Sequence, residues 1–301
     1  MKISVSELTT DRKWRAATGL AQDKFERLLA HFKRTYALVT GADMTERGEF
    51  TPQATVIKTE EELLLFTLFS FKSNLTYDLL GLVIGLDGSN AKINQQLGIL
   101  ILKETLAQSG HAPKREFATV AEFEVYFYDC DLLLLDGTEQ RRQRPKQNDV
   151  QKDHYSGEKK FHTLKELIIS KPTRWIGFIS KCFAGKQHDY SLLKTVLPPD
   201  KEWFKKFKVR LDLGFLGFVK DYVCRQVFIP FKKPKGKELS LEQRAVNKEQ
   251  AKERITVEHS IGGLKRYRIL SDRIRLHKNR SYDDVLEVCA GLWNFHLMPD
   301  L

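Results

Sequence analysis

Two short apolar runs, each closed by an aspartate with a glycine just after it, constrain this chain most. Asp131-Leu132-Leu133-Leu134-Leu135-Asp136-Gly137 packs four consecutive leucines between acids, a length and pattern that fit a fully buried strand. Val209-Arg210-Leu211-Asp212-Leu213-Gly214 is a second short strand with the same ending. If the two strands are neighbours, Asp136 and Asp212 emerge at the same edge of a sheet. A third acid, Glu258, lies inside a long helical stretch read over 239–270, and a helix packed across that edge can add it. Three carboxylates meeting in this way repel one another unless cations neutralise them. Hard oxygen ligands suit Mg²⁺ or Mn²⁺, and two such ions roughly 4 Å apart activate a water or a 3′-hydroxyl and stabilise the leaving oxygen. Taken singly, each acid also has a plain structural reading: an Asp before a Gly is a common turn, and a helical Glu is commonly solvated.

The remaining chain divides by texture near residue 112, giving an expected helical domain over 1–112 and an α/β domain over 113–301. Residues 11–38 read as helical through Phe25, Leu28, Leu29 and Phe32, and 39–58 as a polar loop. Thr59 with Glu62 fits a capping box that opens a second helix. A third helix over about 76–84, the break Gly85-Leu86-Asp87-Gly88, and a fourth helix capped by Ser89 or Asn90 and running to about Gln108 make a helix-turn-helix pattern. With Ile93, Leu97, Leu100 and Ile101 facing the core, Lys92, Asn94, Gln95, Gln96 and Lys103 are left outside. These side chains can reach phosphates and base edges, and a solvated helical hairpin is the rival reading. Further strands are expected over 161–170, 174–183 and 227–231, and a closing helix over 283–297.

The net charge of +11 points to a polyanionic partner such as nucleic acid. Basic residues flank the acids: Arg141, Arg142 and Arg144 after the first, Lys159 and Lys160 between, Lys205, Lys206 and Lys208 before the second, and Lys232, Lys233, Lys235 and Lys237 after it. Arg254, Glu258 and Lys265 stand four and seven residues apart, on one helix face. The four cysteines are scattered and form no zinc pattern. Met1 to Leu20 has no long apolar run, so no signal peptide is expected, and no segment is long enough to span a bilayer.

Five motifs, in order, resemble those of insertion-sequence transposases of the DDE superfamily, in the bacterial branch related to Harbinger-type elements. Asp136-Gly137-Thr138-Glu139 with the basic tail Arg141-Arg142-Gln143-Arg144-Pro145 resembles the first-acid motif. Tyr155-Ser156-Gly157-Glu158-Lys159-Lys160-Phe161-His162-Thr163-Leu164-Lys165 resembles a second signature, and Gly185-Lys186-Gln187-His188-Asp189 a third. Asp212-Leu213-Gly214-Phe215-Leu216-Gly217 resembles the second-acid motif, and Arg254-x3-Glu258-x6-Lys265 the third-acid signature. Ala251 and Phe215 stand where the family often has tyrosine. The resemblance implies an α/β fold, with a ribonuclease-H-like mixed five-stranded sheet flanked by helices behind an all-α helix-turn-helix domain. Asp136 would lie on the first strand and Asp212 on the fourth. It further implies Asp136, Asp212 and Glu258 as metal ligands for two Mg²⁺ or Mn²⁺ ions and double-stranded DNA as substrate. A homo-oligomer on DNA and a cytoplasmic, nucleoid-associated location follow from the same likeness. Asp189 has two readings, a further metal-side carboxylate or a helix cap. Cleavage and strand transfer at terminal inverted repeats is the expected activity; a catalytically silent DNA-binding descendant and a branched-DNA nuclease are the rivals.

Overall fold

The computed structural model describes residues 3–49, 56–276 and 279–299; residues 50–55 of the expected loop lie outside them. In chain order the helices are α1 (Asp11–Thr18), α2 (Gln22–Thr40), α3 (Met44–Glu49), α4 (Glu60–Ser73), α5 (Tyr77–Ile84), α6 (Gly88–Gln108), α7 (Val120–Tyr126), α8 (Asn148–His154), α9 (Asp189–Val196), α10 (Phe218–Asp221), α11 (Leu241–Leu264), α12 (Arg268–Ser271) and α13 (Asn279–His296). The strands are β1 (Leu132–Arg141), β2 (Tyr155–Ser156), β3 (Phe161–Ser170), β4 (Ile176–Ile179), β5 (Phe183–Ala184), β6 (Lys208–Arg210) and β7 (Gln226–Phe228). The protein is thus mixed α/β, in two compact units: residues 1–112 with 264–272 and 276–301, and residues 113–263 with 273–275.

The first unit is helical. Gly19, at φ 82°, breaks the helical stretch expected over 11–38 into α1 and α2, and a Cβ there would also meet Tyr267 Cε1 at 2.9 Å. The hydroxyls of Thr59 and Thr76 accept from the backbone N–H groups of Glu62 and Leu79 and so start α4 and α5. Asp87, rather than Ser89 or Asn90, caps α6, its Oδ1 accepting from Asn90 N at 2.8 Å.

The buried face of α6 is also not the expected one. Ala91, Gln95, Gly98, Ile101, Leu102 and Thr105 point inward, while Ile93 and Leu100 are 59% and 54% exposed. The small residues decide this: a Cβ on Gly98 would sit 2.9 Å from Thr67 Cβ, so only the glycine face lets α6 approach α4 so closely. Gln95, expected on the DNA side, is therefore buried. Its Nε2 donates to Ser70 Oγ at 2.8 Å and its Oε1 accepts from Tyr77 Oη at 3.0 Å, so the amide is satisfied without water. Lys92 and Gln96 are exposed, and Asn94, half-buried, donates to Asn90 O at 2.9 Å. Lys103 is engaged by Asp284 at 2.7 Å and Glu287 at 3.2 Å.

The chain's end completes this unit instead of extending the α/β one. Tyr282, Val285, Leu286, Cys289, Leu292 and Trp293 of α13 are buried, Asn294 Nδ2 donates to His111 O at 2.9 Å, and Tyr267 packs edge-on against Phe71 with ring centroids 6.2 Å apart. A boundary drawn at 112 with everything later in one domain misses this, because an apolar helical face does not encode which unit it covers.

The second unit is built on a mixed sheet in the order β2-β3-β1-β6-β7, with β4 and β5 also on β3. β1, β3 and β4 are antiparallel neighbours; β6 and β7 run parallel to β1. The stretch expected as one strand over 174–183 is two short strands. On one face Leu133, Leu135, Leu167, Ile169 and Phe178 join Phe123 and Phe127, Leu192 and Leu193, Trp203, Phe204 and Phe207 in an apolar core. Val209 and Leu211 point into that core, so Arg210 between them points to the other face. There its guanidinium, 5% exposed, bonds Gln250 O and the Glu253 carboxylate, and Ser260 Oγ donates to Arg174 O, fixing α11 to this unit.

Candidate active site

Asp136 does not end its strand. β1 continues to Arg141, paired residue by residue with β3. What ends there is the parallel ladder to β6, whose last pair is Leu134 with Arg210. Asp136 and Asp212 each lie two residues past that pair, so the register of parallel strands carries them to the same place. Asp136 Oδ1 accepts from Gly137 N at 2.8 Å, and Asp212 Oδ1 from Gly214 N at 2.8 Å. The second contact caps the single helical turn Leu213–Phe215.

The two acids act on each other. Burial first, and then the charge of Asp212, push the Asp136 carboxyl up to about 7; Asp189 adds to the rise, and the Gly137 N–H bond and Arg254 oppose it. Burial likewise raises Asp212, with Asp189 and Glu158 adding and Gly214 and Arg254 opposing. Asp136 in the folded chain holds its proton to a higher pH than in the unfolded chain. Its contribution to stability is therefore whole below about pH 4 and is lost as pH rises through 7. Asp136→Asn, which has no charge to develop, should gain on the wild type in thermal midpoint between pH 4 and 8, and a gap that stays constant with pH would contradict the burial and repulsion described.

Glu258 lies on α11. It is exposed, and its Oε1 accepts from Arg254 Nη2 at 2.9 Å, while the Arg254 charge reaches both aspartates. Arg254 thus links the three acids of the sequence reading, although among the described residues no three acid, histidine or cysteine side chains stand close enough to share one ion. Lys265 is not on the same helix face as expected: α11 ends at Leu264, after Gly262 and Gly263, two poor helix formers, and Lys265 lies in the turn that follows.

Asp189 is the first residue of α9 and not its cap, a position held by His188. Its carboxylate faces the sheet, where Lys165 Nζ lies 3.0 Å from Asp189 Oδ1 and 2.9 Å from Glu139 Oε1. Burial alone would lower Lys165; the hydrogen bond to Glu139 and the two carboxylate charges outweigh it and hold the lysine above its usual range. Sequence reasoning quoted Lys165 and Glu139 within motifs without giving them a role. The signal available was that each stands in a motif beside a candidate acid.

Of the basic residues, Arg141, Arg144, Lys159 and Lys160 are exposed and Arg142 half-buried. Arg141 lies over the Phe161 ring at 5.0 Å, Arg144 Nε donates to Gln151 Oε1, and Lys159 pairs with Glu158 at 2.6 Å. The Glu158 charge reaches Asp212 and the Glu139 and Lys165 charges reach Lys159, so the turn joining β2 and β3 lies within electrostatic range of the site. Phe215, in place of the family's tyrosine, is fully buried.

The arrangement is a carboxylate pair where the parallel β1–β6 ladder ends, with Arg254 paired to a third acid, Glu258, and acting on both aspartates. The profile of a family described as DDE superfamily endonuclease matches residues 135–294, which includes Asp136, Glu139, Glu158, Asp189, Asp212 and Glu258. A protein of Microchaete diplosiphon described as a probable transposase for insertion sequence element IS702 is 29% identical over 300 residues, covering 99% of each chain. No solved structure matches. With that profile covering more than half of its length, including the paired aspartates and the Arg254–Glu258 turn, the chain belongs to the DDE superfamily endonucleases.

Proposed function

We propose that the protein is a transposase that binds the terminal inverted repeats of its own element, cleaves DNA at their ends and joins them to a target. The observation that carries this reading is the register-fixed meeting of Asp136 and Asp212, with Arg254 bridging to Glu258. The strand order β4-β3-β1-β6-β7, antiparallel up to β1 and parallel beyond it, supports a ribonuclease-H-like sheet with Asp136 on its first strand and Asp212 just past its fourth.

The donor set suits a divalent cation. An acid raised to about 7 by burial, and then by a neighbouring carboxylate, is a site short of positive charge, and all the donors are hard oxygens. Asp136 and Asp212 would hold Mg²⁺ or Mn²⁺, and Glu258 would complete the set on leaving Arg254. Such ions, when bound, activate the attacking oxygen and stabilise the leaving one. Arg254, Lys159, Lys160, Arg141, Arg142 and Arg144 hold DNA phosphates, and Lys265, which belongs to the first unit, contacts DNA as well. In the helical unit α5, the Gly85 turn and α6 support a helix-turn-helix, in which Lys92, Asn94 and Gln96 contact DNA and the buried Gln95 supports the helix from behind. Two element ends handled together imply a homo-oligomer on DNA, working in the cytoplasm on the nucleoid.

The test is a duplex ending in the element's inverted repeats, incubated with the full-length protein and Mn²⁺. Nicking at the repeat ends, and end joining to a plasmid, are expected. Specific binding with no nicking in either Mn²⁺ or Mg²⁺ would instead favour a silent DNA-binding protein.

A further inference from the structure

Asp189 differs from the other acids of the site in having a buried cation of its own. Lys165 contacts Asp189 and Glu139 at 3.0 and 2.9 Å, and the three side chains are 8%, 20% and 7% exposed. Glu139 and Lys165 are direct partners across the β1–β3 ladder, so two strands fix the lysine. The two oxygens of Asp189 fill the space beside two glycines that follow the paired aspartates. A side chain on Gly137 would collide with Oδ1, and a Cβ on Gly214 would sit 2.8 Å from Oδ2. The next residue, Tyr190, donates its hydroxyl to the Asp221 carboxylate, and its ring lies 3.0 Å from where a Cβ on Gly217 would sit, a glycine at φ 109°. The first turn of α9 therefore touches β1 just past Asp136 and the loop just past Asp212. No strand pairing spans these two places, since the β1–β6 ladder stops at Leu134 and Arg210.

We infer that Lys165, Glu139 and Asp189 form a buried ion triad that sets the spacing of Asp136 and Asp212, so that Lys165 and Asp189 are positioning residues and Asp189 is not itself a metal ligand. A carboxylate ion-paired with a buried ammonium already has its charge balanced, and its seat against Gly137 and Gly214 transmits to both neighbours. The inference deepens the metal-site reading above and rests on it.

The test is Mn²⁺ binding to the full-length protein, followed by the electron paramagnetic resonance signal of free Mn²⁺, with thermal melting to confirm folding. Lys165→Met and Asp189→Asn should each weaken Mn²⁺ binding about tenfold or more without changing the number of ions per chain. The double variant should be no weaker than either alone, because both remove one interaction. Lys165→Arg should recover most of the affinity. Should Lys165→Met fail to fold, Glu139→Gln with Lys165→Met keeps the triad's net charge and should show the same loss. Binding that tightens when Lys165 is removed, or an ion lost per chain in Asp189→Asn, would make Asp189 a ligand and overturn the inference. So would wild-type affinity in the Lys165 variants while Asp136→Ala abolishes binding. No saturable Mn²⁺ binding by the wild type, or none lost in Asp136→Ala, overturns the functional reading and the inference together.

Discussion

Asp136→Ala is expected to lower cleavage of repeat-ended DNA by at least about 10³-fold, or some 4 kcal/mol of transition-state stabilisation, while changing DNA affinity little. The acid lies at the point where β1 leaves its parallel partner, within reach of the Asp212 charge. The same loss is expected for Asp212→Ala and Glu258→Ala. Stability should move the other way. Asp136 is held in its charged form against burial and against Asp212, so the alanine variant should melt no lower than the wild type at pH 8. Lost activity with retained melting and retained binding separates chemistry from misfolding. Cleavage that survives Asp212→Ala but not Asp189→Ala would transfer the second acid's role to Asp189.

Residues 1–112 made as a separate fragment should not fold cooperatively. Tyr267, Leu270, Tyr282, Val285, Leu286, Leu292 and Trp293 are all buried in the first unit, and all come from the other end of the chain. At about 1.5–3 kcal/mol for each large apolar side chain kept from water, their loss alone matches or exceeds the roughly 5–15 kcal/mol net stability of a typical domain. Gly19, which ends α1 against the Tyr267 ring, would face an empty space. Circular dichroism melting and hydrogen exchange on the fragment are the measurements. A sharp transition with protected amides in α4 and α6 would show that the N-terminal helices make their own core. Placing a linker and residues 264–301 after the fragment should restore the transition if the account is right.

The strands that lead to the acids were legible from their apolar runs, although β1 continues past Asp136 and Gly137 to Arg141, and the start of α4 was legible because the Thr59 hydroxyl caps it at the expected offset. The faces of helices were less so. Periodicity offers several rotations of α6, and apolar Ile93 and Leu100 favour one of them. The close approach of Gly98 to Thr67 selects another, and Gln95 is buried with it. Lys265 was aligned with Arg254 by counting along an unbroken helix, but α11 stops first.

The chemistry available could be read from residue order: which acids stand beside glycines after apolar runs, which cations accompany them, and that the ensemble resembles DDE transposases. Only the tertiary structure decided which of these groups meet. Parallel register placed Asp136 beside Asp212, the β1–β3 ladder placed Lys165 against Glu139, and α9 delivered Asp189 between two glycines. The physical reason is that local pattern fixes the direction a side chain leaves its own backbone, whereas the partner it finds depends on strand pairing and helix packing across residues far apart in the chain.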